Sequence, residues 1–398
     1  MNTFLRICAA AVLICLAATP QEAQDKPAST PATGPSAIIA GPYLQQVTQT
    51  GITIMWETAQ TASGLVEYGK GVPLGREMKV ALDHKAAPPG TRQIHKVMLT
   101  GLEAGADYSY RVVSKAEAGT EQASEVYTFQ TSVKEDTPYT FGIISDTQYA
   151  NFTGKLTDLL YTQRPNFCIN GGDLTGGTDG ADPKEWREGL LKPAAKLMSH
   201  VAMFCIPGNH DTSYTNYFKY LSAPDPQYRY TFTYGNSQFF MLDSNRPCDE
   251  KSEQYKWLDG ELAKSKATWK FVVHHHPVYS SEQTTYSELP RGDARVAALK
   301  TLYEKYGVDI VFNGHSHNYE RTWPIKDGRV TPPGKGVIYM VIAGSGSWQE
   351  ECVPVHSWFT CQQKLGFFCG TVAVNGKELH VRMMDISGNV FDWVDLSK

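Results

Sequence analysis

The sequence lacks a long apolar run beyond residue 18, a strong excess of either charge and any Cys-x-x-Cys motif. Its 37 Lys and Arg against 41 Asp and Glu give a net charge of −4, which argues against nucleic acid or an anionic membrane surface as a partner. Because a membrane helix needs roughly 20 apolar residues, no span is predicted in the chain after residue 18. No Cys/His zinc-finger spacing occurs, so a structural zinc site built on thiolates is not predicted.

The first 23 residues have the layout of a secretory signal peptide. Arg6 precedes an apolar block at residues 7–18 that is too short to cross a bilayer, and small and polar residues follow it. An uncleaved anchor or a disordered tail is the alternative interpretation. We therefore expect a secreted or periplasmic protein. Residues 24–38 are rich in Pro, Ala, Ser and Thr, which predicts a flexible linker.

Six of the eight cysteines lie beyond the predicted signal peptide. Cys168 and Cys205 stand inside apolar runs, so we expect buried thiols there. Cys352 and Cys361 lie close together in a loop-like stretch. In an oxidising compartment they are a candidate disulfide, with two free thiols as the equal alternative.

Two regions of different periodicity follow the linker. Residues 39–132 contain short stretches of alternating apolar residues between Gly, Pro, Asn and Asp clusters, which predicts an antiparallel β-sandwich. Tyr108, six residues after Leu102, resembles the tyrosine corner of fibronectin type III-like sandwiches. Residues 138–398 alternate short, fully apolar runs with helical stretches, which is typical of an α/β domain.

Five apolar runs of the second region end in side chains that bind metals or transfer protons. Ligand sites in α/β sheets gather at the carboxyl ends of strands, so we expect these side chains to converge. A mixed set of Asp, Asn and His suits Fe, Mn or Zn, and it exceeds the needs of a single ion. The sequence therefore predicts two metal ions that share a carboxylate, about 3.5–4 Å apart.

The order D-x-Q, GD, GNHD, HHP and GHSH resembles the calcineurin-like metallophosphoesterases. The stretch NGHSHNYER and the preceding sandwich narrow the resemblance to the purple acid phosphatase-like branch. The resemblance implies a four-layer α-β-β-α catalytic domain at residues 138–398. It also implies an exported phosphatase that hydrolyses small phosphate monoesters by attack of a metal-bound hydroxide.

The same resemblance assigns roles to individual residues. His210 would not bind metal but would donate a proton to the leaving group, and Asp211 could orient it. The V-x-x-H-x-P pattern selects His275 from the run of three histidines. The implied ligands are Asp146 and His317 for the first ion, Asn209, His275 and His315 for the second, and Asp173 bridging both.

Four positions depart from the family pattern. Gly176 stands where purple members carry a tyrosine, so we predict a colourless enzyme. Gln148 stands where relatives carry His or Gly, and it is either a weak neutral ligand or a hydrogen-bonding neighbour of the metal site. Thr284 and Thr285 replace a histidine pair, so the substrate pocket must differ.

Two other functions remain open at this stage. A phosphodiesterase or nucleotide hydrolase would use the same metal core, because the walls of the substrate pocket decide between monoesters and diesters. A catalytically dead binding protein is the more remote alternative. The sequence names neither the physiological substrate, the metal pair nor the oligomeric state.

Overall fold

The computed structural model describes residues 34, 37–72, 82, 84–87, 90–117, 119–148, 150–282, 292–352 and 356–398. The predicted signal peptide, most of the predicted linker, and the pair Thr284 and Thr285 lie outside the described residues. Among the helices of the described ranges, none combines the length and apolar character that a membrane crossing requires.

The first part of the described chain is an all-β domain. Its strands are β1 (Ile38–Gln45), β2 (Gly51–Lys70), β3 (His84–Ala86), β4 (Arg92–Thr100), β5 (Asp107–Ala116), β6 (Glu121–Ala123) and β7 (Tyr127–Gln130). The long strand β2 pairs antiparallel with β1 and β4 along its first half and with β5 along its second half. A register shift between Glu57 and Ala62 marks the change of partner, and it lets one strand serve both halves of the domain.

The tyrosine corner predicted from the sequence is confirmed. The Tyr108 hydroxyl accepts a hydrogen bond of 3.0 Å from the backbone N–H of Glu103, five residues upstream. This is the contact by which such a tyrosine fixes a corner of a β-sandwich. The fully buried Trp56 lies in the core of the same domain, where its indole N–H donates to the Ser114 hydroxyl at 2.8 Å.

Two further sheets form the second part of the chain. The first sheet has the strand order β10-β9-β8-β20-β21-β22, and the second has the order β11-β12-β13-β14-β18-β15-β19. Strands β8, β9 and β10 are parallel, as are β12, β13, β14 and β18. The bounds are β8 Tyr139–Ile144, β9 Phe167–Asn170, β10 Ala202–Cys205, β11 Arg229–Tyr234, β12 Ser237–Leu242, β13 Trp269–Val273, β14 Ile310–Asn313, β15 Tyr319–Thr322, β18 Ile338–Ile342, β19 Thr360–Lys364, β20 Phe368–Asn375, β21 Glu378–Asp385 and β22 Val390–Ser397; β16 (Ile325–Lys326) and β17 (Arg329–Val330) form a separate hairpin.

Within the described residues, six α-helices cover these sheets: α1 (Ala150–Thr162), α2 (Pro183–Glu185), α3 (Ala195–Met198), α4 (Tyr214–Tyr220), α5 (Glu253–Lys264) and α6 (Leu299–Tyr306). A π-helix at Trp186–Leu191 lies between α2 and α3, and 3₁₀ turns occur at Asn209–Asp211 and Ala294–Val296. Phe141 of the first sheet packs edge-on against Phe239 and Phe271 of the second. Separate buried clusters join α1 and α3 to the first sheet and α5 and α6 to the second. The predicted α-β-β-α layering is confirmed.

A glycine and a proline shape two of the helical segments. Gly307 ends α6 in the left-handed conformation, at φ 62°, and its N–H bonds to the Tyr303 carbonyl. The helical segment of residues 183–198 is interrupted at residues 192–194, around Pro193. Cys352 and Cys361 are both free, so the alternative of two thiols holds in this structure.

The two parts of the chain share a buried ion pair. Glu57 of β2 is 1% exposed, and its Oε1 lies 3.1 Å from Arg187 Nη1 on the π-helix. The Tyr220 hydroxyl also donates to this oxygen, at 3.2 Å. A second contact runs from the Tyr43 hydroxyl to the Tyr220 carbonyl, at 2.8 Å. The all-β domain therefore braces the helices that flank one side of the second region.

Candidate metal centre

The five predicted strand ends meet at one edge of the paired sheets. Each of five strands ends fewer than five residues before the predicted site residue that follows it; these strands are β8, β9, β10, β13 and β14. Backbone hydrogen bonds join the loops that follow these strands. The Asp146 N–H donates to the Gly172 carbonyl and the Gly314 N–H donates to the His275 carbonyl, both at 2.9 Å. Asp146, Asp173 and His315 have φ values of 56°, 51° and 74°. Such conformations are rare outside glycine and cluster at functional sites.

The predicted ligands of the first ion lie side by side. Asp146 is fully buried and its Oδ1 lies 3.5 Å from His317 Nε2. The Ser145 hydroxyl donates to Asp146 Oδ2 at 2.6 Å, and the backbone N–H of His315 contacts both carboxylate oxygens at 3.1 and 3.2 Å. These donors fix the carboxylate in one orientation.

The predicted ligands of the second ion form an adjacent group. Asn209 Oδ1 lies 3.1 Å from His275 Nε2 and 2.9 Å from His315 Nδ1. His275 Nδ1 lies 3.0 Å from the Gly171 carbonyl oxygen. Because a carbonyl only accepts, Nδ1 carries the proton of that contact, and Nε2 is the nitrogen turned towards the site.

Asp173 lies between the two groups, as a bridging ligand must. Its Oδ2 is 3.3 Å from His275 Nε2 and accepts a hydrogen bond of 2.9 Å from Gln148 Nε2. Its Oδ1 accepts from the backbone N–H of His210, also at 2.9 Å. Asp146, Asp173 and His275 each offer a ligand atom within 4.8 Å of the others.

This donor set fits metal cations. Asp146 and Asp173 are 0% and 1% exposed, and within the described residues their ion pairs involve only histidines, with no Lys or Arg. Two buried carboxylates in one cluster carry a large desolvation cost unless cations compensate them. Two carboxylates, three imidazoles and one amide oxygen form the mixed oxygen and nitrogen set that Fe, Mn and Zn prefer.

The buried carboxylates of the cluster place a negative potential on its imidazoles. Burial alone would raise the pKa of Asp173, but the neighbouring His275 and His210 outweigh it and lower the pKa. Burial alone would lower the pKa of His275, but the Asp173 charge outweighs it and raises the pKa to about 9. The same potential favours a bound cation.

His210 lies at the rim of the cluster. Its side chain is 34% exposed, and its Nε2 lies 3.9 Å from Asp173 Oδ2. Its Nδ1 makes a short contact with the Gly177 carbonyl, which holds the ring in one orientation. His210 therefore combines access to solvent with a nitrogen directed over the metal ligands.

The proposed partner of the His210 ring has to be corrected. The buried Asp211 carboxylate accepts hydrogen bonds from the backbone N–H groups of Leu174, Thr175 and Gly208 at 2.9–3.1 Å. Burial and the charge of Asp173 raise the pKa of Asp211 to about 7. Asp211 thus ties the two metal-site loops together, and the Gly177 carbonyl orients the ring of His210. Sequence spacing suggested Asp211 only because it adjoins His210.

Gln148 is directed at the bridging carboxylate. Its side-chain nitrogen donates to Asp173 Oδ2, and its backbone N–H reaches the Asp173 carbonyl at 3.3 Å. Of the two interpretations left open by the sequence, this contact is the one expected of a hydrogen-bonding neighbour.

The other two histidines of the HHH run have partners other than Asp173. His276 Nδ1 lies 2.8 Å from the Ser244 hydroxyl. His274 Nδ1 lies 2.8 Å from the His276 carbonyl oxygen, and Asn313 Nδ2 approaches the same ring at 3.1 Å. The run thus supplies one residue, His275, to the cluster.

Sequence reasoning missed two carboxylates beside the centre. Glu350 Oε2 accepts from the backbone N–H of His317 at 2.9 Å. Asp293 groups with His276 and His315, with ligand atoms within 4.8 Å. Neither follows an apolar run, so the strand-end criterion could not find them.

Two family models match this chain. Residues 139–319 match "Calcineurin-like phosphoesterase", and residues 41–131 match "Purple acid Phosphatase, N-terminal domain". The chain is 27% identical over 297 residues to purple acid phosphatase 15 of Arabidopsis thaliana, covering 65% of this chain and 55% of the relative. It is 28% identical over 247 residues to acid phosphatase type 7 of Mus musculus, covering 52% and 55%. The chain thus spans about half the length of these relatives.

Solved structures share the fold. A purple acid phosphatase from yellow lupin seeds superposes with a TM-score of 0.77 at 20% identity, over 89% of this chain and 74% of that one. The structure of PhoD superposes with a TM-score of 0.67 at 13% identity, over 92% and 90%. At these identities the likeness establishes the architecture alone.

Proposed function

This chain belongs to the purple acid phosphatase-like branch of the calcineurin-like metallophosphoesterases, and we propose that it is an exported phosphatase that hydrolyses phosphate monoesters at a pair of metal ions. The observation that carries the proposal is the convergence of six predicted ligands from five strand ends, with Asp173 placed between the two groups. The export signal and the monoester preference rest on the sequence alone.

The predicted ligands form two groups, one for each ion. Asp146 and His317 would hold one, and Asp173 would be shared; the other would be held by Asn209, His275 and His315. When bound, the two ions neutralise the phosphate and make hydroxide available near neutral pH. Asp173 can serve both because its carboxylate offers a ligand atom within 4.8 Å of those of Asp146 and His275.

His210 supplies the proton that the departing alkoxide needs. With Nδ1 held by the Gly177 carbonyl, the protonated ring carries its second proton on Nε2, the nitrogen nearest Asp173. A leaving-group oxygen above the cluster then accepts that proton as the bond to phosphorus breaks. Asp211 and Gln148 act only by positioning, through the Asp173 loop.

A substrate panel tests the proposal. We expect the protein, reconstituted with Fe, Mn or Zn, to hydrolyse p-nitrophenyl phosphate faster than bis-p-nitrophenyl phosphate, and His275→Ala to lose both activities. A clear preference for the diester would reverse the ranking in favour of the phosphodiesterase alternative. No hydrolysis of either ester with any metal would favour the binding-protein alternative.

A further inference from the structure

Trp348 is a large exposed side chain beside the metal centre. It is 64% exposed, and its ring centre lies 6.4 Å from that of His317, at an angle of 62°. His317 Nε2 in turn lies 3.5 Å from Asp146. A planar substituent on a phosphate held at the His317 side of the centre would therefore lie within reach of the indole.

The loop that carries Trp348 is anchored to the metal ligands on both sides. The Ser347 N–H donates to the Asp146 carbonyl at 3.1 Å, one residue before the tryptophan. The Glu350 N–H donates to the His317 carbonyl at 3.1 Å, two residues after it. Because the backbone is fixed at both ends, little conformational entropy is lost when a ligand packs on the indole.

Exposure of a tryptophan this close to a reaction centre has a chemical consequence. An aromatic face in water gains from stacking with another planar ring, whichever ring that is. An aliphatic chain offers less contact area and no matching π-face. The position of Trp348 thus distinguishes planar from non-planar leaving groups.

We propose that Trp348 is a specificity residue that stacks on a planar leaving group and so strengthens the binding of aryl esters relative to alkyl esters. The inference rests on the proposed phosphatase function and adds a residue that selects among its substrates. The indole would contact the substituent of the ester, while the phosphorus lies over the metal ligands. Its contribution therefore falls on substrate binding, and the chemical step is left to the groups around Asp173.

Other exposed tryptophans serve as matched controls. Trp393 is 61% exposed but lies on the edge strand β22, where it pairs with Arg382 of β21. Trp358 is 53% exposed and packs edge-on against Tyr279 and Phe359. Truncation of Trp393 removes a comparable exposed surface without altering the loop that carries Trp348.

The test compares kcat/KM for 2-naphthyl phosphate with that for glycerol 2-phosphate in wild type, Trp348→Ala, Trp348→Phe and Trp393→Ala. We expect Trp348→Ala to lower the ratio by about tenfold or more, mainly through a higher KM for the aryl ester. Trp348→Phe should keep most of the ratio, and Trp393→Ala should leave it unchanged. A ratio unchanged in Trp348→Ala, or a loss confined to kcat, overturns the proposal.

A binding measurement separates this inference from the proposed function. Calorimetry with phenylphosphonate and methylphosphonate on the metal-loaded protein requires no turnover. We expect phenylphosphonate to bind more tightly to wild type, and Trp348→Ala to remove that advantage. If wild type hydrolyses neither ester, the phosphatase proposal fails, but the two phosphonates still test the role of Trp348. Equal affinities of wild type for the two phosphonates would refute that role.

Discussion

Two imidazoles of the candidate metal centre owe their usable nitrogen to a contact with another part of the chain. The Gly171 carbonyl occupies His275 Nδ1 and leaves Nε2 for the cluster. The Gly177 carbonyl does the same for His210. Both partners belong to the segment around Asp173, so Asp173 and the two rings share one support.

His210 should matter most when the leaving group is a poor one. We expect His210→Ala to lower kcat by about 10²–10⁴-fold for an alkyl phosphate, because the alkoxide must be protonated as it leaves. With p-nitrophenyl phosphate the loss should be much smaller, because p-nitrophenolate needs little help. Steady-state kinetics on both esters checks this, with metal content as the control. Equal losses on both substrates would show that His210 is not the proton donor.

Gly176 should leave the iron-loaded protein colourless. Since glycine offers no phenolate, the iron-loaded wild type should have no visible charge-transfer band. Gly176→Tyr should introduce one, because the residue is three positions after the bridging Asp173, where purple relatives carry tyrosine. Absorption spectra of the two iron-loaded proteins make the comparison. A purple wild type would mean that another tyrosine binds the iron.

Among the elements, the loops after β9 and β10 approach each other so closely that glycine is required. A Cβ at Gly208 would lie 2.0 Å from Asp173 Oδ1 and 2.3 Å from its backbone nitrogen. We therefore expect Gly208→Ala to displace Asp173, to destabilise the fold by about 1–3 kcal/mol and to lower metal content. Metal analysis and thermal unfolding measure both effects.

Gly260 in α5 is the matched control for this substitution. A Cβ at Gly260 would have open space around it, with no atom of the described residues outside its own helix turn within 4 Å. Gly260→Ala should stabilise the protein by about 0.5–1 kcal/mol and leave metal content unchanged. Normal metal content in Gly208→Ala would contradict the close approach of the two loops.

At the scale of elements, local signals predicted the structure well and long-range contacts less well. Apolar runs and the tyrosine corner are local in sequence, and the structure confirms them. The partners of Asp211 lie up to 37 residues away, and Glu350 lies 33 residues from His317. Which donor reaches which carboxylate depends on how the loops pack, and no spacing rule encodes that.

In the whole molecule, the all-β domain braces the His210 side of the site. Glu57 pairs with Arg187 on the π-helix, which follows α2 directly. Glu185 of α2 accepts from the Gly177 N–H at 3.1 Å, and the carbonyl of Gly177 holds His210. This chain of contacts supports the interpretation that the domain is a structural support for the rim of the site.

Breaking the shared ion pair tests that support. Arg187→Met leaves the buried Glu57 carboxylate without its cation, so we expect a loss of about 2–3 kcal/mol in stability. The double variant Glu57→Gln/Arg187→Met should recover much of it, because the neutral amide can still accept from Tyr220. Thermal unfolding of both variants gives the comparison. Equal destabilisation of the two would contradict a charge-based origin.

We expect this fold to hold two metal ions on the six converging side chains. The deciding measurement is the metal content per chain of protein that has been reconstituted with Fe, Mn or Zn and freed of excess ions. We predict two equivalents in wild type and no more than one in His275→Ala, because one of the two groups then loses a ligand. One equivalent or less in wild type, unchanged by His275→Ala, would rule out a two-metal centre on these residues.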